Sequence, residues 1–157
     1  MSPYTDEGPI SEEELAQNRL YPVLERWRAS LGDRLAGDWL EWWRSPTVNV
    51  AIREPSADEV SILSREAAEI GWEARIVPAR HTASELQDFT KRATALIARR
   101  QPDALISAGP DPSTNKIYVV LREPDRSLIE ELYRSLPQDV MILSIESGTW
   151  TSYVPLA

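Results

Sequence analysis

Apolar residues recur at two distinct spacings along this chain, and the switches between them mark out its elements. Leu20, Val23, Leu24, Trp27 and Leu31 stand three and four residues apart, which gathers them on one face of a helix. Ser11-Glu12-Glu13-Glu14 precedes the run with the layout of a capping box, so the helix is expected from about Glu12. Pro22 falls inside and is expected to break or kink it. Residues 1–10, rich in proline and acid, read as a loose arm.

Alternation then takes over. In "LAGDWLEWWRSPTVNVAIREP", Leu40, Trp42, Val48, Val50 and Ile52 flank the turn-like Arg-Ser-Pro-Thr, which predicts a hairpin with arms Trp39–Trp43 and Val48–Arg53. Pro55 stops the second arm, and Ser56 with Glu59 forms a second capping box. The next helix carries Val60, Leu63, Ala67 and Ile70 and stops at Gly71, and a strand Glu73–Val77 ends at Pro78. Thr82 and Glu85 open a third helix with a stripe of Leu86, Phe89, Ala93, Leu96 and Ile97, closed by Pro102. "ALISAGPDPSTNKIYVVLREP" predicts a second hairpin, followed by a helix bearing Leu128, Ile129, Leu132 and Leu136 and a strand Val140–Ile145.

Arg-Glu-Pro occurs twice, at 53–55 and 122–124, and aligning the two copies aligns the strands before them and the helices and strands after them. Each copy reads hairpin, helix, strand. Proline ends the strand and the next polar residue caps the helix, so the repeat is structural. Arg53, Glu54, Arg122 and Glu123 are expected as edge salt-bridge or cross-strand charges. The predicted fold class is α+β: two ββαβ units with small antiparallel sheets, joined by a helix and preceded by an N-terminal helical segment. The divisions are 1–34 for arm and helices, 35–80 for the first unit, 81–102 for the connecting helix, 103–147 for the second unit, and 148–157 for an apolar tail.

Composition narrows the function. A formal net charge of -8 repels phosphate backbones, and the Lys91-Arg92 and Arg99-Arg100 pairs sit beside acids on one helix, so no nucleic-acid partner is expected. No apolar run approaches the ~18–20 residues that span a bilayer, so no membrane association is expected. The acidic start lacks the basic-then-apolar layout of a secretory signal; the chain is expected to be cytoplasmic as it stands, or a trimmed form of an exported one. The absence of cysteine removes thiolate catalysis, disulfides and zinc-thiolate sites.

His81 is the only histidine, no Gly-x-Ser-x-Gly elbow is present, and "GPDPSTN" lacks the Gly-Lys-Ser/Thr of a phosphate loop. His81 reads as a boundary residue beside the capping Thr82. No catalytic residue, metal site or cofactor is expected. Most of the six tryptophans are expected to fill the core. The uncharged tail "SGTWTSYVPLA" is expected either to pack back or to enter another protein.

Three segments, taken in order, resemble the prodomains of alpha-lytic-protease and streptogrisin-type serine protease precursors. These are "LAGDWLEWWRSPTVNVAI", "IVPARHTASELQDFTKRATAL" and "ISAGPDPSTNKIYVVL", the last with Asp111, Thr114, Asn115, Val119 and Val120. The resemblance spans about Leu35–Ile145. It implies a two-part α+β domain that assists the folding of a chymotrypsin-fold protease and then inhibits it, the tail lying in the substrate cleft. On this sequence it implies partner contacts from the strand bearing Ile117, Val119 and Leu121, and from Trp150, Tyr153, Leu156 and Ala157 in the tail. The expected function is therefore that of a noncatalytic protein-binding domain. A stand-alone interaction module that keeps the fold without a protease is the alternative.

Overall fold

In the computed structural model, residues 9–147 and 150–153 are described, and the two Arg-Glu-Pro segments close the second strand of two hairpins. The first unit comprises helix α1 (Glu12–Leu31), strands β1 (Leu35–Glu41) and β2 (Thr47–Ile52), helix α2 (Ala57–Glu69) and strand β3 (Glu73–Pro78). The second repeats that order with α3 (Ala83–Arg100), β4 (Leu105–Asp111), β5 (Lys116–Arg122), α4 (Arg126–Ser135) and β6 (Met141–Ser147), and adds β7 (Trp150–Tyr153). The fold is α+β, as the pattern predicts. The duplication is larger than ββαβ, because α1 and α3 are also counterparts, each packed on its own unit's sheet.

Both sheets are mixed, which corrects the expectation of antiparallel sheets. The hairpin pairs β1–β2 and β4–β5 are antiparallel, whereas β2–β3 and β5–β6 are parallel. The cause is the crossover: a helix between two strands returns the chain to start the next strand in the same direction. Sheet order is β1-β2-β3 in the first unit and β4-β5-β6-β7 in the second.

The predicted stripe of α1 is buried as a set, with Trp27 and Trp72 among the largest members of the first core. The helix runs unbroken through Pro22, contrary to expectation. Pro22 and Asn18 both lie on the exposed face, so the Asn18 carbonyl that loses its helical donor stands on the solvated side. Leu20, Val23 and Leu24, packed into the core on either side of the proline, hold the axis together.

Ser56–Glu59 and Thr82–Glu85 form complete capping boxes. At Ser11 only the side-chain bond to the Glu14 amide is present, and Asp125 makes no side-chain cap at all. Instead the Asp125 amide donates to Gln101 Oε1 (2.9 Å). Val60, expected on the buried stripe of α2, is exposed, while Leu63 and Ala67 carry that contact.

Both glutamates of the repeated tripeptide adopt positive φ, 51° at Glu54 and 45° at Glu123. Each carbonyl is held by a side chain from the turn after the preceding long helix: Arg34 Nη2 donates to Glu54 O (3.0 Å) and Gln101 Nε2 to Glu123 O (3.1 Å). The motif is thus a left-handed strand exit, built twice with different anchors.

The units pack face to end. The first sheet carries α1 and α2 on one face; its other face presents Ala36, Ala51 and Ala79 with Trp39 at their edge. The second unit covers this outer face. A Cβ at Gly37 would lie 2.4 Å from Pro112 Cβ, so only glycine admits the β4–β5 turn there. With both faces covered, all six residues of β2 are buried.

Candidate protein-binding surface

In β5, successive side chains point to opposite faces of the sheet. Ile117, Val119 and Leu121 point inward, are 0% exposed and join the core formed with α3 and α4. The expectation that these three side chains contact a partner is corrected by that period of two: they are core residues. The positions between them face outward, and Tyr118 is 37% exposed. Ile142 of β6 lies opposite it, half-buried; Val120, half-buried, follows along β5, and Ile106 of β4, 38% exposed, lies in the register irregularity beside Val120. None of the four belongs to a core cluster. Among the described residues no helix covers this face, whereas the matching face of the first sheet lies under the second unit.

The Tyr118 ring lies over Gly109, where an added Cβ would stand 2.9 Å from its hydroxyl. This fixes an aromatic flat on the sheet, at the centre of the apolar patch. Charged positions border it: Arg122 is exposed, Glu146 is its cross-strand neighbour, and Lys116 pairs with Asp111 in register. Strand β7 extends the same sheet antiparallel to β6, with Tyr153 opposite Ser144 and Thr151 opposite Glu146. Trp150 and Tyr153 are therefore placed in β7 by its backbone; Leu156 and Ala157 lie outside the described residues.

The Asp-Thr-Asn segment turns the hairpin and ties the units together. Asp111 Oδ1 accepts from the Ser113 amide (3.0 Å) and hydroxyl (2.6 Å), and Oδ2 accepts from the Thr114 hydroxyl (2.9 Å). Burial works to raise the Asp111 carboxyl, but these hydrogen bonds outweigh it and hold it below its ordinary range. Asn115, at φ 53°, accepts from the Arg80 (2.9 Å) and His81 (2.8 Å) amides on Oδ1 and donates Nδ2 to His81 O (2.9 Å). Asn115 thus replaces strand pairing for the segment linking the two units. His81 packs edge-on against Phe89 and stands 3.8 Å from Glu85, a local role consistent with its place before the cap.

Two open cavities are polar. One, of about 380 Å³, is lined by Glu41, Trp43, Arg44, Ser45, Thr47 and Arg75. In it Arg75 is already paired with Glu41 (3.3 Å) and Glu73 (3.4 Å). The other, of about 220 Å³, lies at the unit junction around Arg80, Asn115 and Asp139. Neither contains converging carboxylates or a nucleophile beside a base, and no group of three metal-ligating residues occurs among the described residues.

Two features depart from what the sequence pattern leads one to expect. Trp43 lies in the β1–β2 turn, 91% exposed, because β1 spans Leu35–Glu41 and ends before it. Trp42, beside it, packs edge-on against Trp72 with ring centroids 5.5 Å apart. The second feature, the outward patch, has a signal in the chain, since Ile117–Leu121 is apolar at every position, a pattern of strands with work for both faces. No protein-family model matches this chain, and no curated protein matches its sequence.

Proposed function

We infer that this chain is a noncatalytic protein-binding domain, similar to a protease prodomain, that engages a chymotrypsin-fold serine protease through the outer face of the second sheet and strand β7. The observation that carries this reading is the apolar patch of Ile106, Tyr118, Val120 and Ile142 inside a charged border, covered by no helix among the described residues. An apolar centre with a polar rim is the anatomy of a specific protein interface, and a flat aromatic at its middle is a typical anchor. The outer edge of β7, unpaired among the described residues, supplies backbone groups for strand addition by an extended protease segment.

Binding of this kind aids folding when the surface holds the protease's folding transition state more tightly than its unfolded chain. It inhibits the folded product when the same surface keeps its cleft occupied. The test is calorimetric binding and inhibition of streptogrisin-type and alpha-lytic-type proteases by the full chain and by Tyr118→Asp. Nanomolar inhibition by the full chain, weakened about 100-fold in the variant, is the expected result. Absence of binding to any such protease removes the protease reading, and a different protein held at the same face would make the chain a stand-alone interaction module.

A further inference from the structure

The internal duplication supplies a precedent for what covers the second sheet. In the first unit the outer face is closed by three contacts from the following unit. The first turn of α3 places Glu85 on Arg53 (3.0 Å), the β4–β5 turn seats Pro112 on Gly37, and α3 lies against β1. Each acceptor has a counterpart in the second unit. Arg122 repeats Arg53 in the Arg-Glu-Pro motif; Ser107 holds the strand position of Gly37, each being the second member of an interrupted register, but it carries a Cβ, so the close proline seat is not repeated there. Arg122 is exposed and makes no ion pair among the described residues, although Glu146 is beside it in register.

Each donor also has a counterpart, in the first unit. Helix α1 repeats α3 and opens with Glu12, Glu13 and Glu14 where α3 carries Glu85. The β1–β2 turn repeats the β4–β5 turn: in register Trp42 follows Glu41 as Pro112 follows Asp111, and Trp43 is the next residue of the turn. Trp42 packs within its own unit on Trp72, but Trp43 stands almost wholly in solvent and Leu15 on α1 is 48% exposed. One chain therefore displays an open acceptor face at one end and an open donor surface at the other.

We propose that a second copy of this chain docks its α1 first turn and its Trp43 turn on the outer face of the second sheet, in the placement that α3 and the β4–β5 turn take on the first sheet, with Trp43 on the apolar patch in place of the proline seat. The pairing is head to tail, since the two surfaces differ, so it propagates into a ring or an open chain. Acidic Glu12–Glu14 against Arg122 supplies the charge match, and Trp43 against Ile106, Tyr118, Val120 and Ile142 supplies the apolar anchor. Because the face is the one assigned above to a protease, self-association and protease binding exclude each other. Self-association does not depend on the protease reading.

Sedimentation velocity of the full chain alone, over concentrations up to about 0.5 mM, tests it. The expected result is a sedimentation coefficient that rises with concentration and falls back with added salt. Arg122→Glu and Trp43→Ser are each expected to weaken association about tenfold. A variant with Glu12, Glu13 and Glu14 all changed to Arg is expected to lose self-association and to regain association when mixed with Arg122→Glu. A chain that stays monomeric throughout the range overturns the proposal, as does a dimer indifferent to Arg122→Glu and Trp43→Ser. Protease binding is measured separately, so its failure leaves the sedimentation result standing.

Discussion

Several charged residues here act on the backbone around them as well as on one another. Glu59 joins its capping box to Arg34, whose guanidinium also holds the Arg53 and Glu54 carbonyls at the strand exit. Arg34, and then the Ser56 amide, hold the Glu59 carboxyl down to about 2, against an ordinary 4.5. A folded-state value below the unfolded one gives stability that is complete above pH 4.5 and is lost as pH falls toward 2. Glu59→Gln is therefore expected to lower the urea midpoint at pH 7 and to flatten its decline between pH 4.5 and 2. Urea titrations at intervals across that window check it.

Among the elements, capping signals and apolar stripes located the four helices, because a helix contains its own hydrogen bonds and its face is written at fixed spacing. The exceptions were local. Pro22 leaves α1 continuous because it stands on the solvated face, and its burden shows as stability alone. Pro22→Ala is expected to raise unfolding free energy by roughly 2 kcal/mol, measured by chemical denaturation, with no change in fold. Strand boundaries shifted more. β1 begins at Leu35, since pairing with β2 extends through the register irregularity at Leu35–Gly37, and its last pair is Glu41 with Thr47, which leaves Trp42 and Trp43 in the turn.

In the molecule as a whole, the two units are joined by a few specific contacts rather than by a shared core, for their core clusters are separate. Asn115 adds to them by binding the segment that links the units. Asn115→Ala removes three hydrogen bonds and places alanine at a left-handed φ, an expected loss of about 3 kcal/mol. Asn115→Gly keeps the backbone conformation and is expected to lose about 2 kcal/mol. Both should raise amide hydrogen exchange at Arg80 and His81, the donors that Asn115 Oδ1 accepts from; unchanged exchange there would show that the amide is not what holds the units together.

The helices, their buried faces, the duplicated order and the α+β class were all legible in the chain, since each depends on spacing within some twenty residues and on local caps. The repeat of Arg-Glu-Pro was readable as structure for the same reason. Folding in three dimensions added which face of each sheet is covered, that Ile117, Val119 and Leu121 serve the core, and that Tyr118 and Trp43 face out. Alternation assigns residues to two faces, but which face meets a neighbour depends on contacts between units distant in the chain, and no local spacing encodes those.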